Sequence, residues 1–492
     1  MSDLLDIKKN VTQGLKWASV SQGLNYLVQF VVWAILARLL PSSSFGALSI
    51  AMVVVNLAGI FNELGMSTAI VQRKDLEQHH LVAAFWVCVS IGGVFLLLAL
   101  AVAPFSGRFF GNTTIMNLVM ILAVKYLVDS FGVVPGAVLR RGLSFRTLAI
   151  IDIWSNLTYS ATALILVLSG WGIVSVGLGY LFSSIVNVSL LWARSSFRPN
   201  LTFEKKGFLE LFHFGRNILG FKAVNYFTGS MDIVLVGKVL GTATLGYYSL
   251  ASSLANFPRL RLSQLIANIA FPAFSRMQED LEGVRQGYLK ILRFAAAVNF
   301  PLLTGLMLLA SQFVVLVYSA KWSPMILPLR ILCVYGMCFS LTTFIGTVFE
   351  AVGRPDYSFK YCLLSLAGVI IAVLSGMKYG LTGIAIALAI YSVVMNLIGH
   401  IMVKRIIHLG LRNYYQALVP AAGASVIMAA GILILLWIQV HILNLPDLWF
   451  VVQSVLFGTV FYTLGLYAVS RQTFREMLEL GLKLINREAK SG

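Results

Sequence analysis

LVAAFWVCVSIGGVFLLLALAVAP, residues 81–104, runs for 24 positions without a charged side chain. An α-helix rises about 1.5 Å per residue, so about twenty apolar residues cross the ~30 Å hydrocarbon core of a bilayer. Tyr414–Trp437 and Val451–Val469 are built the same way. Of the 492 residues, 59% are apolar and 11% charged, against about 25% Asp, Glu, Lys and Arg in soluble domains. Most of the surface of this chain must therefore face lipid.

Working outward from that block, the sequence predicts an all-α integral membrane protein of about 14 transmembrane helices. The first six are Lys16–Leu36, Phe45–Met66, Leu81–Pro104, Ile115–Val138, Thr147–Ser169 and Trp171–Ala193. Leu211–Val236, Ala243–Ala270, Ile291–Tyr318, Pro324–Glu350, Ser358–Met377 and Leu381–Val403 follow, with Tyr414–Trp437 and Asp447–Val469 at the end. The gaps are short, which leaves no room for a sizeable soluble domain. Met1–Asn10 is polar and the first apolar block lacks a small-residue cleavage site, so no signal peptide is expected. Cys88, Cys333, Cys338 and Cys362 all fall inside spans and read as packing residues, with neither a disulfide framework nor zinc spacing.

Orientation follows from Lys and Arg. Alternate gaps collect 26 of them, including Arg140, Arg141, Lys205, Lys206, Arg354 and Arg405, while the opposite side has 5: Arg38, Arg108, Lys238, Lys321 and Lys378. The rich side is cytoplasmic by the positive-inside rule, and both termini lie on it. The same distribution argues against nucleic acid as the partner of the +18 net charge. Three segments repeat apolar residues at helical spacing between charges: Leu4, Ile7 and Val11; Phe274, Met277, Leu281, Val284 and Tyr288; and Phe474, Met477, Leu478 and Ile485. They are expected to lie in the headgroup layer.

An internal repeat sits at an offset of 200. Residues 37–51, ARLLPSSSFGALSIA, match residues 237–251, GKVLGTATLGYYSLA, with Leu40/Leu240, Gly46/Gly246, Ser49/Ser249 and Ala51/Ala251 identical. The same register pairs Asn25-Tyr26 with Asn225-Tyr226 and Asn56 with Asn256. Six spans per half make the halves parallel repeats, a transporter design with the site between them. The expected division is 1–208 and 209–412 for two six-helix halves, 413–470 for two additional helices and 471–492 for a cytoplasmic amphipathic tail.

This architecture, with ARLLPSSSFG (residues 37–46) after the first span, resembles the polysaccharide-transporter branch of the multidrug/oligosaccharidyl-lipid/polysaccharide (MOP) superfamily. IVQRKD (70–75), FPAFSRMQED (271–280) and EAVGRP (350–355) resemble Wzx-type oligosaccharide-lipid flippases, above all the colanic-acid exporter group. The resemblance implies a substrate, a sugar repeat unit on undecaprenyl diphosphate. It also implies a place in the bacterial inner membrane beside other polysaccharide-assembly membrane proteins. It implies no cofactor, metal or catalytic residue, and composition shows none of this.

A charge near the bilayer centre costs about 2.5–3.5 kcal/mol on insertion scales and is a functional candidate. Lys222, Arg259, Arg261, Lys125 and Arg216 are the candidate cations, set against Asp129 and Asp232. A diphosphate head suits such a cationic cavity, because Arg grips phosphate through paired hydrogen bonds. Lys125 and Asp129, four residues apart, read equally as a self-neutralising pair. Lys222 has the least room to reach the headgroups. Arg330 and Asp152 sit at span ends and stay outside the site. Asn25, Gln29, Asn225, Asn56 and Glu63 offer groups for sugar hydroxyls or a coupling ion, or bonds between helices.

The expected activity is transport, not catalysis: a flippase carrying a lipid-linked oligosaccharide across the inner membrane by alternating access. The nearest alternative is a multidrug/cation antiporter of the same superfamily, which calls for carboxylates at depth. A membrane glycosyltransferase or polymerase calls for an acidic motif or a large outer loop. Orientation is directly testable. In a Cys-free background, single cysteines at Ser43, Lys378 or Asn444 should react with an impermeant thiol reagent from outside. Those at Lys206, Arg354 or Lys490 should not, and labelling at Lys206 overturns the orientation.

Overall fold

A computed structural model describes residues 22–62, 66–73, 76–200, 224–439, 441 and 446–479. Leu4, Ile7, Val11 and Ile485 lie outside them. The described residues form helices and no strands. In order these are α1 (22–39), α2 (Ser42–Asn62), α3 (Met66–Gln72), α4 (Gln78–Phe110), α5 (Thr113–Ser130), α6 (Val133–Arg141), α7 (Phe145–Leu168) and α8 (Val174–Arg194). Next come α9 (224–239), α10 (Gly241–Pro258), α11 (Gln264–Arg276), α12 (Leu281–Leu308), α13 (Ala310–Tyr318), α14 (Ile326–Ala351) and α15 (Pro355–Gly376). The last are α16 (Gly380–Ile407), α17 (Leu411–Ile438), α18 (Asp447–Val469) and α19 (471–479).

Ten helical stretches among the described residues are long and apolar enough to cross a membrane, and Ser42–Leu57 is a shorter apolar helix. Two of the ten, Val224–Ser263 with 40 residues and Pro355–Ile407 with 53, are about twice what one crossing needs. The first turns at position 240 and the second at Met377–Tyr379. Leu97, Phe105, Leu168 and Ile371 are 67–73% exposed, which is the favourable state for a side chain bathed in acyl chains.

The chain divides into two compact units, Met1–Gly246 and Tyr247–Gly492. In the first, α5 packs against α2, α4 and α8, and α7 against α8. Phe85 anchors its core, with the rings of Trp192, Phe197 and Phe131 at 5.7, 5.8 and 6.1 Å. In the second, α14 is the hub for α11, α12 and α16, and α17 joins α12 to α18.

Three predicted spans are not single helices: Ala243–Ala270 runs from α10 through a turn at Arg259–Ser263 into α11, and two others break outright. Ile115–Val138 breaks at Phe131 and Gly132, between α5 and α6, and Ile291–Tyr318 breaks at Leu309. A break inside the membrane frees backbone groups that need other partners. Here the Trp192 indole donates to the Phe131 carbonyl at 3.0 Å, and the Gly132 N–H reaches the Asp129 carbonyl at 2.8 Å.

The segment 274–288 also departs from expectation. Phe274, Val284 and Tyr288 are buried with Leu292, Phe344 and Phe349, and Met277 and Leu281 pack on the same cluster. Its apolar face lies against protein because a tight turn at Met277–Asp280 folds α11 onto α12. Likewise α19 docks through Met477 on that cluster, and Arg293 Nη1 meets Glu476 at 3.2 Å. Leu478 stays exposed.

The repeat has a direct structural expression inside the first unit. A Cβ on Gly46 would collide with the Thr242 carbonyl oxygen, and one on Gly246 with the Ser42 carbonyl oxygen. Ser42 and Gly46 are the repeat counterparts of Thr242 and Gly246, so the two helix starts exchange equivalent contacts, the reciprocal pattern of a two-fold interface. Only glycine lets the backbones approach this closely. Gly46→Val and Gly246→Val should each lower the thermal midpoint of the detergent-solubilised protein, by the about 1–3 kcal/mol typical of overpacking. The double variant should lose less than the sum, since both act on one contact. Gly93→Ala, where nothing lies within 4 Å, should leave the midpoint unchanged.

Candidate functional site

The break after α5 opens a cavity of about 250 Å³ in the first unit. Tyr126 and Asp129 come from α5, Arg140 from α6, Asp152 from α7, Asn187 from α8 and Ser67 from α3. Lys125 Nζ donates to Asp129 Oδ2 at 2.5 Å, with the two side chains 21% and 31% exposed. The i, i+4 spacing on one helical turn brings them together. This favours mutual neutralisation over a free cation. The Tyr126 hydroxyl donates to Asn56 Oδ1 at 2.5 Å, Arg140 Nη1 to Ser67 Oγ at 3.0 Å, and Asn187 Nδ2 to Ser155 Oγ at 3.1 Å. Arg141 holds the carbonyls of Ile70 and Arg73 and so fixes α6 beside α3.

Arg140, Asp152, Asn187 and Ser67 are cavity residues that sequence reasoning did not place in the site. Residues 115–138 read as one span leave Arg140 in the gap that follows, which hides the cavity. Gly132, Pro135 and Gly136 are the signal that was available, since Gly and Pro punctuate helices. A Cβ on Gly132 would stand 3.0 Å from Val188 Cγ2, so a larger residue there would crowd α8.

The other expected residues are dispersed. Gln29 Nε2 donates to Asn156 Oδ1 at 2.9 Å, a bond between α1 and α7 that holds helices together. Asn25 is half-buried and Asn225 exposed, and Asp232 is half-buried on α9. Glu63, Arg216 and Lys222 lie outside the described residues.

In the second unit, Pro258 closes α10 and a π-helical turn, Arg259–Ser263, follows. Proline lacks the N–H that would continue the regular ladder, and a widened turn accommodates its loss. Arg259 is half-buried, with its guanidinium 4.7 Å above the Phe339 ring centre and Nε 3.4 Å from Asn256 Oδ1. Arg261 is exposed. At about 90–100° per residue, positions two apart point to nearly opposite sides, so the two arginines do not share one face.

An apolar groove of about 450 Å³ lies among α12, α14, α16 and α17, walled by Leu308, Val334, Ala389, Leu433 and Leu436. Arg330 stands on its wall and donates to Ser311 Oγ at 2.9 Å. Among the described residues no three His, Cys, Asp or Glu side chains are placed to hold a metal ion. His80 instead accepts the Glu77 N–H at 3.2 Å, closing the first turn of α4.

The Lys125–Asp129 contact makes a specific prediction. Lys125→Met or Asp129→Leu alone leaves a charge unpaired in a part-buried site and should destabilise by about 1–3 kcal/mol. The double variant should recover most of that loss in the thermal midpoint. Additive losses would show that the two side chains act separately.

Comparison with known proteins sets these features in a family. Residues 35–327 match the family described as polysaccharide biosynthesis protein. The lipopolysaccharide biosynthesis protein WzxC of Escherichia coli K12 is 26% identical over 419 residues, 84% of this chain and 85% of that protein. The teichuronic acid biosynthesis protein TuaB of Bacillus subtilis 168 is 28% identical, over 87% of this chain and 89% of its own length. The succinoglycan biosynthesis transport protein ExoT of Rhizobium meliloti is 23% identical over 98% of both. Among solved structures, the lipid II flippase MurJ in an inward closed conformation superposes with a TM-score of 0.74 at 17% identity, covering 94% of this chain and 99% of that one. An inward-facing multidrug transporter of the MOP superfamily gives 0.63 at 17% identity, over 78% of this chain and 94% of its own. The fold is that of the MOP transporters, and with more than half of its length matched, this multi-pass membrane chain belongs to the polysaccharide biosynthesis protein family.

Proposed function

We propose that this protein is a flippase that moves an oligosaccharide repeat unit linked to undecaprenyl diphosphate across the bacterial inner membrane. The observation that carries the reading is the family match over residues 35–327 on a chain that shares its fold with a lipid II flippase. Relatives are named for the biosynthesis of lipopolysaccharide and teichuronic acid and for succinoglycan biosynthesis transport, and a sugar polymer displayed outside the cell needs a bulky polar head carried across the bilayer. Moving that head is a transport step, with no bond made or broken. The 26-to-5 split of Lys and Arg supports cytoplasmic termini and entry of the substrate from that side. The offset-200 repeat supports alternating access by rocking of repeated halves.

Arg259 and Lys222 are the cations we assign to the diphosphate, with Arg216 and Arg261 as further candidate cations for the same substrate. Arg259 sits at a π turn, a local geometry that recurs at functional sites. A drug or cation antiporter calls for an excess of carboxylates at its site, whereas here Asp129 is already neutralised by Lys125 and Asp152 lines the same cavity as Arg140. The test is transport in cells where each variant is the only copy. Arg259→Glu and Lys222→Glu, at normal protein level, should cut polymer export at least about tenfold, because repulsion replaces a charge-assisted contact. Repeat units should accumulate on the inner leaflet, and Lys222→Arg should retain transport. Full export by both well-expressed reversals would remove these residues from the substrate path.

A further inference from the structure

We infer that the cavity in the first unit is a carbohydrate subsite. It reads one sugar ring of the cargo through Asp152, Asn187 and Asp129, and it does not bind the diphosphate. This rests on the flippase reading and assigns a part of the substrate to a place in the fold.

Charge is the first argument. Around the cavity stand two cations, Lys125 and Arg140, and two carboxylates, Asp129 and Asp152. Asp129 is matched by Lys125 at 2.5 Å, and Arg140 and Asp152 line the same cavity with opposite charges. A doubly charged phosphate group entering here would gain no net attraction and would face both carboxylates. A neutral polyol meets no such barrier.

Hydrogen-bonding capacity is the second. A sugar hydroxyl both donates and accepts, so a site that reads it needs acceptors and donors side by side. Asp152 makes no side-chain hydrogen bond among the described residues and offers a full carboxylate. Asp129 commits Oδ2 to Lys125 and keeps Oδ1. Asn187 uses one N–H on Ser155, which leaves a donor and its carbonyl oxygen. Arg140 spends one N–H on Ser67 and retains others of its five.

Size and chemistry narrow the occupant. A volume of about 250 Å³ falls below the ~300–1,000 Å³ of drug-sized pockets, room for one ring and not for an oligosaccharide. A divalent cation is disfavoured, because no three ligating side chains converge among the described residues. Arg140 belongs to the group of basic residues that the charge pattern puts on the cytoplasmic side, where a lipid-linked sugar would be met first.

The experiment uses the full chain in lipid nanodiscs and two probes. One is the lipid-linked repeat unit that accumulates in its host when the gene is deleted; the other is undecaprenyl diphosphate without sugar. The wild-type protein should bind both, the sugar-bearing lipid more tightly. Asp152→Asn, which removes a carboxylate with no hydrogen-bonded protein partner, should weaken the sugar-bearing lipid by about tenfold and leave the bare diphosphate unchanged. Asp152→Ala should do the same, with the thermal midpoint as a check on folding. Equal binding of the two lipids by wild type, no effect of either variant, or an equal loss for both lipids overturns the subsite. Binding of neither lipid by wild type overturns the flippase reading itself, and the subsite with it.

Discussion

Inside hydrocarbon there is no water to satisfy a backbone N–H or C=O, and each orphaned group costs several kcal/mol. The rest of this structure depends on that constraint. It makes helix the default for an apolar chain of this length. It also means that each interruption has to be supplied with partners from elsewhere. At Phe131 the indole of Trp192 does so, from a helix distant in sequence. At Pro258 the ladder widens into a π turn without ending, and Asn299 Nδ2 ties Ser263 Oγ at 2.9 Å. The breaks are therefore where other helices come in with polar side chains, and the first of them borders a cavity.

Charges obey the same rule more severely, and the fold answers it in different ways. Lys125 and Asp129 cancel within one turn of α5. Arg259 lies over an aromatic face, where the ring quadrupole replaces part of the lost hydration. Arg141 is absorbed by two backbone carbonyls at the end of α6. Only side chains whose bonding capacity is not exhausted by such arrangements are left to meet a substrate. Asp152 and Asn187 keep such capacity, whereas Lys125 is spent on Asp129.

Apolar surface contributes little to helix association in a membrane, because lipid tails are as apolar as leucine. Cohesion has to come from close packing, and glycine supplies it at a few crossings. A Cβ on Gly336 would strike the Ala255 carbonyl, and Gly376 and Gly383 each abut the backbone of the other between α15 and α16. The Gly46 and Gly246 contacts belong to this class and also mark the repeat. Substitution at such points changes helix spacing, which polar substitutions on lipid-facing positions do not.

Apolar block length and the sidedness of Lys and Arg carry the membrane assignment, and they are local properties that any linear reading registers. α18 runs Asp447–Val469 as predicted, and α4, α7, α15, α16 and α17 contain their predicted spans to within a residue or two, because nothing interrupts their hydrogen bonding. The Lys125–Asp129 contact was legible for the same reason, since i, i+4 neighbours meet on any helix. The cavity was not. Its walls come from α3, α5, α6, α7 and α8, and Asp152, Asn187 and Arg140 converge only after those helices pack. The burial of Phe274 and Tyr288 was equally hidden: an amphipathic face looks alike in sequence whether lipid headgroups or a neighbouring helix covers it. Spacing along one helix is set by covalent geometry, whereas which helix stands opposite is set by packing, and packing is a property of the whole fold.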